Sequence, residues 1–244
     1  MVLRRTNLIS QKKITISGSK SISNRLLILQ SIFPNITIKN QSTSDDTKYL
    51  SIALKSSSNK INIGHAGTAM RFLTSYFSVK KNSIVEIYGS ERMHKRPISI
   101  LVKSLRKIGA EIEYLDNIGF PPLRITGQKL KSKKLKIDSS ISSQFISSLI
   151  LISPMIEGGL KIEMTGKDTS LPYIEMTIDL LKKIGVSVTY QKNMITIDQK
   201  ERINVIEITV EPDWSSASYF YSIVSLAERG YSLELTNFNS FSIQ

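Results

Sequence analysis

A repeat constrains this chain more than any other feature. Lys107-Ile-Gly-Ala-Glu-Ile-Glu-Tyr114 and Lys183-Ile-Gly-Val-Ser-Val-Thr-Tyr190 follow one pattern. In each, a segment of helical period (101–108; 178–184) runs into a glycine where a helix C-terminus favours one, and the residues beyond alternate as a strand does. Each helix starts at a proline suited to a first turn, Pro97 or Pro172. Asp45 to Leu54 is a weaker third copy, with Asp45 placed to cap it. Self-similarity of this kind specifies an architecture of similar packed units.

A second kind of helix alternates with the first. Its members begin at Gly18-Ser-Lys-Ser, Gly64-His-Ala-Gly-Thr, Ser139-Ser-Ile-Ser-Ser and Asp213-Trp-Ser-Ser, all small and polar. They continue into nearly all-apolar bodies at 26–32, 70–77, 145–152 and 219–226. A helix apolar on all sides is a buried helix. The unit therefore reads buried helix, strand, amphipathic helix, strand, strand. Units span about 14–63, 64–138 and 139–211, and a fourth opens at Glu211 with one helix and one strand (231–235) before Gln244. Three units and the start of a fourth are expected to be a piece of a longer protein.

The composition narrows the chemistry. The 244 residues include no cysteine, which excludes disulfides, thiolate metal sites and a cysteine nucleophile. The two histidines, His65 and His94, do not suggest a multi-histidine metal site. The N-terminal residues have no apolar signal-peptide core, and the apolar run 145–156 is too short and too polar to span a bilayer. A soluble cytoplasmic protein is expected. The formal net charge is +13. Residues 1–25 hold six Lys or Arg and no acid, and residues 129–136 hold five lysines and no acid. Such a balance suits nucleic acid, a membrane surface or small anionic substrates. The 129–136 cluster lacks the interleaved aromatics of a nucleic-acid reader and reads as a solvated turn between strands.

The stretch Ile16-Ser-Gly-Ser-Lys-Ser-Ile-Ser-Asn-Arg25 joins a flexible glycine turn, three serine hydroxyls and two cations at the start of a buried helix. Orphan N–H groups and the positive end of the helix dipole make that a phosphate or carboxylate site. Gly64-His-Ala-Gly-Thr-Ala-Met-Arg71 offers Gly67 for close backbone approach, Thr68 as a donor and Arg71 as an anion partner. Ser90-Glu-Arg-Met-His-Lys-Arg-Pro97 places Arg92, Lys95 and Arg96 before a helix, with Arg96 held extended by the proline that follows. Ser142-Ser-Gln144 and Ser170-Leu-Pro-Tyr173 put hydroxyls, an amide and a phenol at two further helix mouths. Taken singly, each is equally a plain cap or a solvated loop. If the units pack around a common axis these ends converge into a cleft for a small, multiply anionic, oxygen-rich substrate.

The chain resembles the 5-enolpyruvylshikimate-3-phosphate synthase family, the 3-phosphoshikimate 1-carboxyvinyltransferases. The resemblance rests on GSKSISNR (18–25), GHAGTAMR (64–71), ERMHKRPI (91–98), GFPPLRITG (119–127), SSQFISSLIL (142–151), SLPYIEMT (170–177) and EPDWSSASYF (211–220), in that order. It implies an α/β (α+β) fold of the inside-out barrel type: three repeated units around a pseudo-threefold axis, with buried helices inside and sheets outside. It implies a complete domain over 13–211, with 1–12 as a first strand belonging to a second domain and 212–244 as the start of that second domain. It implies transfer of the enolpyruvyl group of phosphoenolpyruvate to the 5-hydroxyl of shikimate 3-phosphate, with release of phosphate, by a monomeric enzyme without cofactor or metal. By motif match, Lys20, Ser21 and Arg25 would bind shikimate 3-phosphate, and Lys20 would also reach phosphoenolpyruvate. Gly67 and Arg96 would bind phosphoenolpyruvate, which makes Lys20 and Arg96 the catalytic candidates. Ser142, Ser143 and Ser170 would hold the sugar-acid phosphate, Gln144 would lie between the substrates, and Tyr173 is a further candidate.

His65 stands where the family usually has Asn, and Phe72 where many members have Pro. The family's acidic proton-transfer groups would lie beyond Gln244, so this chain alone is expected not to turn over. Three alternatives remain: the related enolpyruvyl transferase on UDP-N-acetylglucosamine, which normally uses a cysteine, a basic nucleic-acid-binding module, and a non-catalytic half-enzyme that acts only as an anion-binding or interaction domain.

Overall fold

The computed structural model of the chain describes residues 9–138, 140, 142–166, 171–238 and 242–244. The first stretch is β1 (Lys12–Thr15), α1 (Lys20–Ile32), β2 (Ile36–Lys39) and α2 (Asp45–Lys55). The second is β3 (Lys60–Asn62), α3 (Gly67–Val79), β4 (Ile84–Tyr88), the short α4 (Glu91–His94), α5 (Ser99–Lys107), β5 (Glu111–Tyr114) and β6 (Leu123–Thr126). The third repeats the second: β7 (Lys134–Asp138), α6 (Ser143–Ile152), β8 (Leu160–Thr165), α7 (Leu171–Lys183), β9 (Val188–Gln191) and β10 (Met194–Ile197). The chain continues through β11 (Ile206–Thr209), α8 (Trp214–Ser225) and β12 (Leu233–Thr236).

The repeat pairs as two matching four-stranded sheets, β3-β4-β6-β5 and β7-β8-β10-β9. In each, the strand before a buried helix lies parallel to the strand after it, and a hairpin strand closes on the latter antiparallel. Gly109 and Gly185 end the helices at φ +105° and +85°, the left-handed conformation that glycine adopts without a Cβ penalty.

The first unit departs from the expected order. No hairpin follows α2; β2 pairs instead with β11, parallel, with Ile36 opposite Ile206. The segment between β2 and β3 is short, and α2 occupies most of it. The lone strand β3 then belongs to the next sheet.

The helices are inside. α1, α3 and α6 pack on one another, and α2, α5 and α7 pack around them beneath the sheets. Leu26, Leu29, Leu73, Ile146 and Ile150 are fully inaccessible. Serines and threonines tolerated in these helices return their hydroxyls to the backbone one turn back, as Thr74 does to Met70 O (2.7 Å) and Ser78 to Thr74 O (2.7 Å). Ser75 and Ser148 hydrogen-bond across the α3–α6 contact at 3.0 Å, where small side chains admit close approach. The sheets' outer faces carry ion pairs such as Lys134–Glu163 and Arg124–Glu86.

Two passages of the chain run side by side. Ser19 N donates to Glu211 O (2.8 Å), Asp213 N donates to Ser17 O (3.1 Å), and Gly18 bridges Pro212. A side chain at Gly18 would overlap the Asn40 carbonyl, so this crossing needs glycine. Nearby, β1 and β12 form a two-stranded parallel sheet.

The α8 helix corrects the sequence reading. Its body was expected to be buried, yet of its residues Ala217 alone is, while Tyr219 is 72% and Tyr221 59% exposed. It touches β12 on one side, and no described element covers the other. Among the described residues no helix is long and apolar enough to cross a membrane.

Candidate active site

The N-terminal ends of α1, α3 and α6 gather at one end of the bundle. Ser19 caps α1, accepting from Ile22 N at 3.5 Å, and Lys20 N donates to Asp213 Oδ2 at 2.9 Å. The start of α3 has no side-chain cap; Ala66 N donates to Ile63 O at 3.0 Å, and no side chain caps the N–H groups of the first turn from Gly67 on. Ser142 caps α6, accepting from Gln144 N at 3.3 Å.

A cavity of about 680 Å³ opens among these ends. Lys20, Ser21, Arg25, Ser142, Ser143 and Gln144 line it, together with Thr68, Phe72 and Tyr173. An adjoining space of about 270 Å³ is bordered by Arg71, Arg96, Ser142 and Gln144, so the last two stand between the compartments. Arg96 also borders a third hollow with His65 and Arg92, about 410 Å³. Gly67 sits behind Arg96, in contact with its guanidinium. Ser170 lies outside the described residues, as do Ser139 and Ile141 of the loop before α6.

Arg25 is the electrostatic centre. It is 3% exposed. Its Nε donates to Thr177 Oγ1 (2.7 Å), Nη1 to Ser21 O (2.8 Å), and Nη2 to Ser147 Oγ (3.2 Å) and Tyr173 O (3.1 Å). Phe72 and Tyr173 lie near it, their ring centroids 5.5 and 5.9 Å from Cζ. Among the described residues, every acceptor is neutral. Burial lowers this guanidinium's pKa to about 10, partly opposed by an electrostatic contribution from the Tyr173 phenol.

Arg71 is similar. It is 4% exposed and donates to Gly67 O (3.1 Å) and Pro97 O (3.0 Å). Burial, and secondarily the charge of Arg96, lower its pKa to about 10. Among the described residues, Lys20, Arg25, Arg71 and Arg96 have no ion-pair partner. A buried cation without a carboxylate is costly, and a bound anion offsets that cost.

The structure adds residues the sequence did not single out. Asn24, one turn after Lys20, and the Ser42-Thr43-Ser44 loop before α2 line the main cavity. That loop has the composition of the other mouths, but it precedes the acidic first turn Asp45-Asp46 and reads as an ordinary cap. Asp213 also lines the cavity, its carboxylate engaged by the N–H groups of Lys20 and Ser216. Among the described residues no cluster of three or more His, Cys, Asp or Glu could hold a metal ion.

Fold and site together are an α/β arrangement of repeated units whose helix mouths bring cations and hydroxyls around one cavity. Residues 51–244 match the family model of EPSP synthase (3-phosphoshikimate 1-carboxyvinyltransferase). The chain is 42% identical over 238 residues to a 3-phosphoshikimate 1-carboxyvinyltransferase of Bacteroides fragilis strain YCH46, covering 96% of this chain and 58% of that protein. It is 41% identical over 265 residues to the protein of that name from Buchnera aphidicola subsp. Cinara cedri, covering 96% and 60%. In fold it is similar to EPSP synthase from Acinetobacter baumannii, at a TM-score of 0.79 and 23% identity, covering 95% of this chain and 56% of that one. The chain belongs to the EPSP synthase family, and its fold is the inside-out α/β arrangement of that family. It spans somewhat under two thirds of the length of the curated relatives named here.

Proposed function

We propose that this chain carries the shikimate 3-phosphate side of an EPSP synthase active site. The reaction joins the 5-hydroxyl of shikimate 3-phosphate to the enol carbon of phosphoenolpyruvate through a tetrahedral intermediate, which loses phosphate. Such a site must hold two anions close together, and clustered cations offset their repulsion and fix their approach. Lys20, Ser21 and Arg25 take shikimate 3-phosphate, and Ser142, Ser143 and Ser170 take its phosphate. Lys20 and Arg96 reach phosphoenolpyruvate, with Gly67 behind Arg96 and Gln144 between the substrates.

The observation that carries this reading is Arg25: a buried guanidinium whose partners among the described residues are all neutral, on the wall of a hydroxyl-lined cavity. The shared border at Ser142 and Gln144 supports two ligands side by side. The sequence assigns 13–211 to one domain and 1–12 with 212–244 to a second; because all of β1 pairs with β12, we move the boundary from residue 13 to the end of β1. The remaining proton-transfer groups belong to that second domain, and the enzyme works as a cytoplasmic monomer.

Calorimetric titration with shikimate 3-phosphate, with shikimate as control, tests the assignment. Binding that requires the phosphate and disappears in Lys20→Ala and in the double variant Ser142→Ala/Ser143→Ala supports it. No binding by a demonstrably folded chain would sink it. Phosphate release from both substrates by this chain alone would overturn the placement of the remaining groups elsewhere.

A further inference from the structure

We propose that Asn24 is a ligand-binding residue of this site, its side-chain N–H group donating to an oxygen of the anion held at the start of α1. The inference rests on the reading of that cavity as an anion site. Asn24 lies one helical turn beyond Lys20 and next to Arg25, and it lines the same cavity.

Asn24 is fully buried. Its Oδ1 accepts from Thr47 Oγ1 at 2.8 Å. A threonine hydroxyl has a single hydrogen, so in the contact between Thr47 and Ser44 (3.0 Å) the hydrogen comes from Ser44. This relay from Ser44 through Thr47 fixes the oxygen of the amide toward α2. The nitrogen is then turned away from α2, and it has no acceptor among the described residues. Its neighbours are treated differently by the fold. Ser23 accepts from Ser42 N at 2.9 Å, and Arg25 makes four hydrogen bonds. A buried amide donor without a partner is costly and uncommon in a native core. Here it lines the cavity beside Lys20 and Arg25, which have no ion-pair partner among the described residues, at a helix start whose first N–H groups are already engaged by Ser19 and Asp213.

The test is titration of the 244-residue chain and its Asn24→Asp and Asn24→Ala variants with shikimate 3-phosphate, alongside unliganded thermal melts. Asn24→Asp keeps the shape and the bond from Thr47, but puts an anionic oxygen where the donor was. Its affinity is expected to fall at least about 30-fold, and that of Asn24→Ala about tenfold, the range for a hydrogen bond to a charged group. Asn24→Ala also removes the buried acceptor of Thr47 Oγ1, so its unliganded chain is expected to melt a few degrees lower, and the affinity of the folded variant is the deciding readout. An asparagine with a structural role alone would lower the melting temperature and leave affinity unchanged. That outcome, or wild-type affinity in both variants, overturns the assignment of Asn24 and leaves the proposed function standing. Failure of the wild-type chain to bind overturns the proposed function itself, and the inference with it. If Asn24→Asp does not fold, Asn24→Ala decides.

Discussion

The guanidinium of Arg96 occupies the space in which a side chain at Gly67 would begin. A Cβ built on Gly67 overlaps Nη1 and Cζ of Arg96, while Arg71 donates to the carbonyl of the same glycine. Two arginines from different parts of the chain thus meet at one backbone position at the start of α3. Gly67→Ala is expected to push the flexible tip of Arg96 aside without disturbing the helix. Alanine favours the helix by less than about 1 kcal/mol, so stability is expected to change little. Affinity for phosphoenolpyruvate, measured with shikimate 3-phosphate present, is expected to fall about tenfold. An unchanged affinity would show that Arg96 does not grip the ligand from this position.

Thr177 holds Arg25 in place. Its hydroxyl accepts from Nε at 2.7 Å. Thr177→Val keeps the volume and leaves a buried charged donor unpaired, which is expected to cost about 3 kcal/mol in a urea unfolding experiment. Thr177→Ser retains the hydroxyl and is expected to recover most of that loss. Equal losses in the two variants would mean that the methyl group, and not the hydrogen bond, carries the effect.

On the outer sheet, Arg124 bridges Glu86 (2.8 Å) and Glu113 (3.2 Å). The hydrogen bond from Arg124, with the charge of Lys60 beside it, holds the Glu86 carboxyl below its usual range. A carboxylate depressed in the folded state contributes stability above its unfolded pKa and loses it as pH falls through the folded value. Arg124→Ala is therefore expected to lower the melting temperature slightly at pH 7. The difference from wild type should disappear at acid pH, below the carboxylate range, and shrink in high salt. A difference that persists in acid would point to packing of the arginine stem.

Leu226, 88% exposed just beyond α8, and Tyr219 test the uncovered face of that helix. Leu226→Ser and Tyr219→Ser are expected to change the stability of this chain by less than about 0.5 kcal/mol. Leu73→Ala, in the centre of α3, is expected to cost about 2–5 kcal/mol. A large loss at Leu226 would show that the face is covered in solution.

The repeat and its polarity were legible because they rest on local rules. Lys107-Ile108-Gly109 and Lys183-Ile184-Gly185 announce a helix end through the glycine alone, and the fully apolar bodies of α1, α3 and α6 announce burial. The pairing of β2 with β11 was not legible, since nothing in either strand specifies a partner so distant in the chain. The burial of α8 was misread because its pattern matches the core helices, and composition does not say what lies against a face. At the site, residues carrying charge or glycine stood out. Asn24 did not, because what distinguishes it is a missing partner, which only three-dimensional contact reveals.

The crossing of Ser17–Ser19 with Glu211–Asp213 brings the start and finish of nearly two hundred intervening residues to the same doorway. Everything between them is a closed excursion of the polypeptide that leaves and re-enters at one point. Such a segment can be spliced out, or its ends rejoined by a linker of a few residues, without stretching the chain.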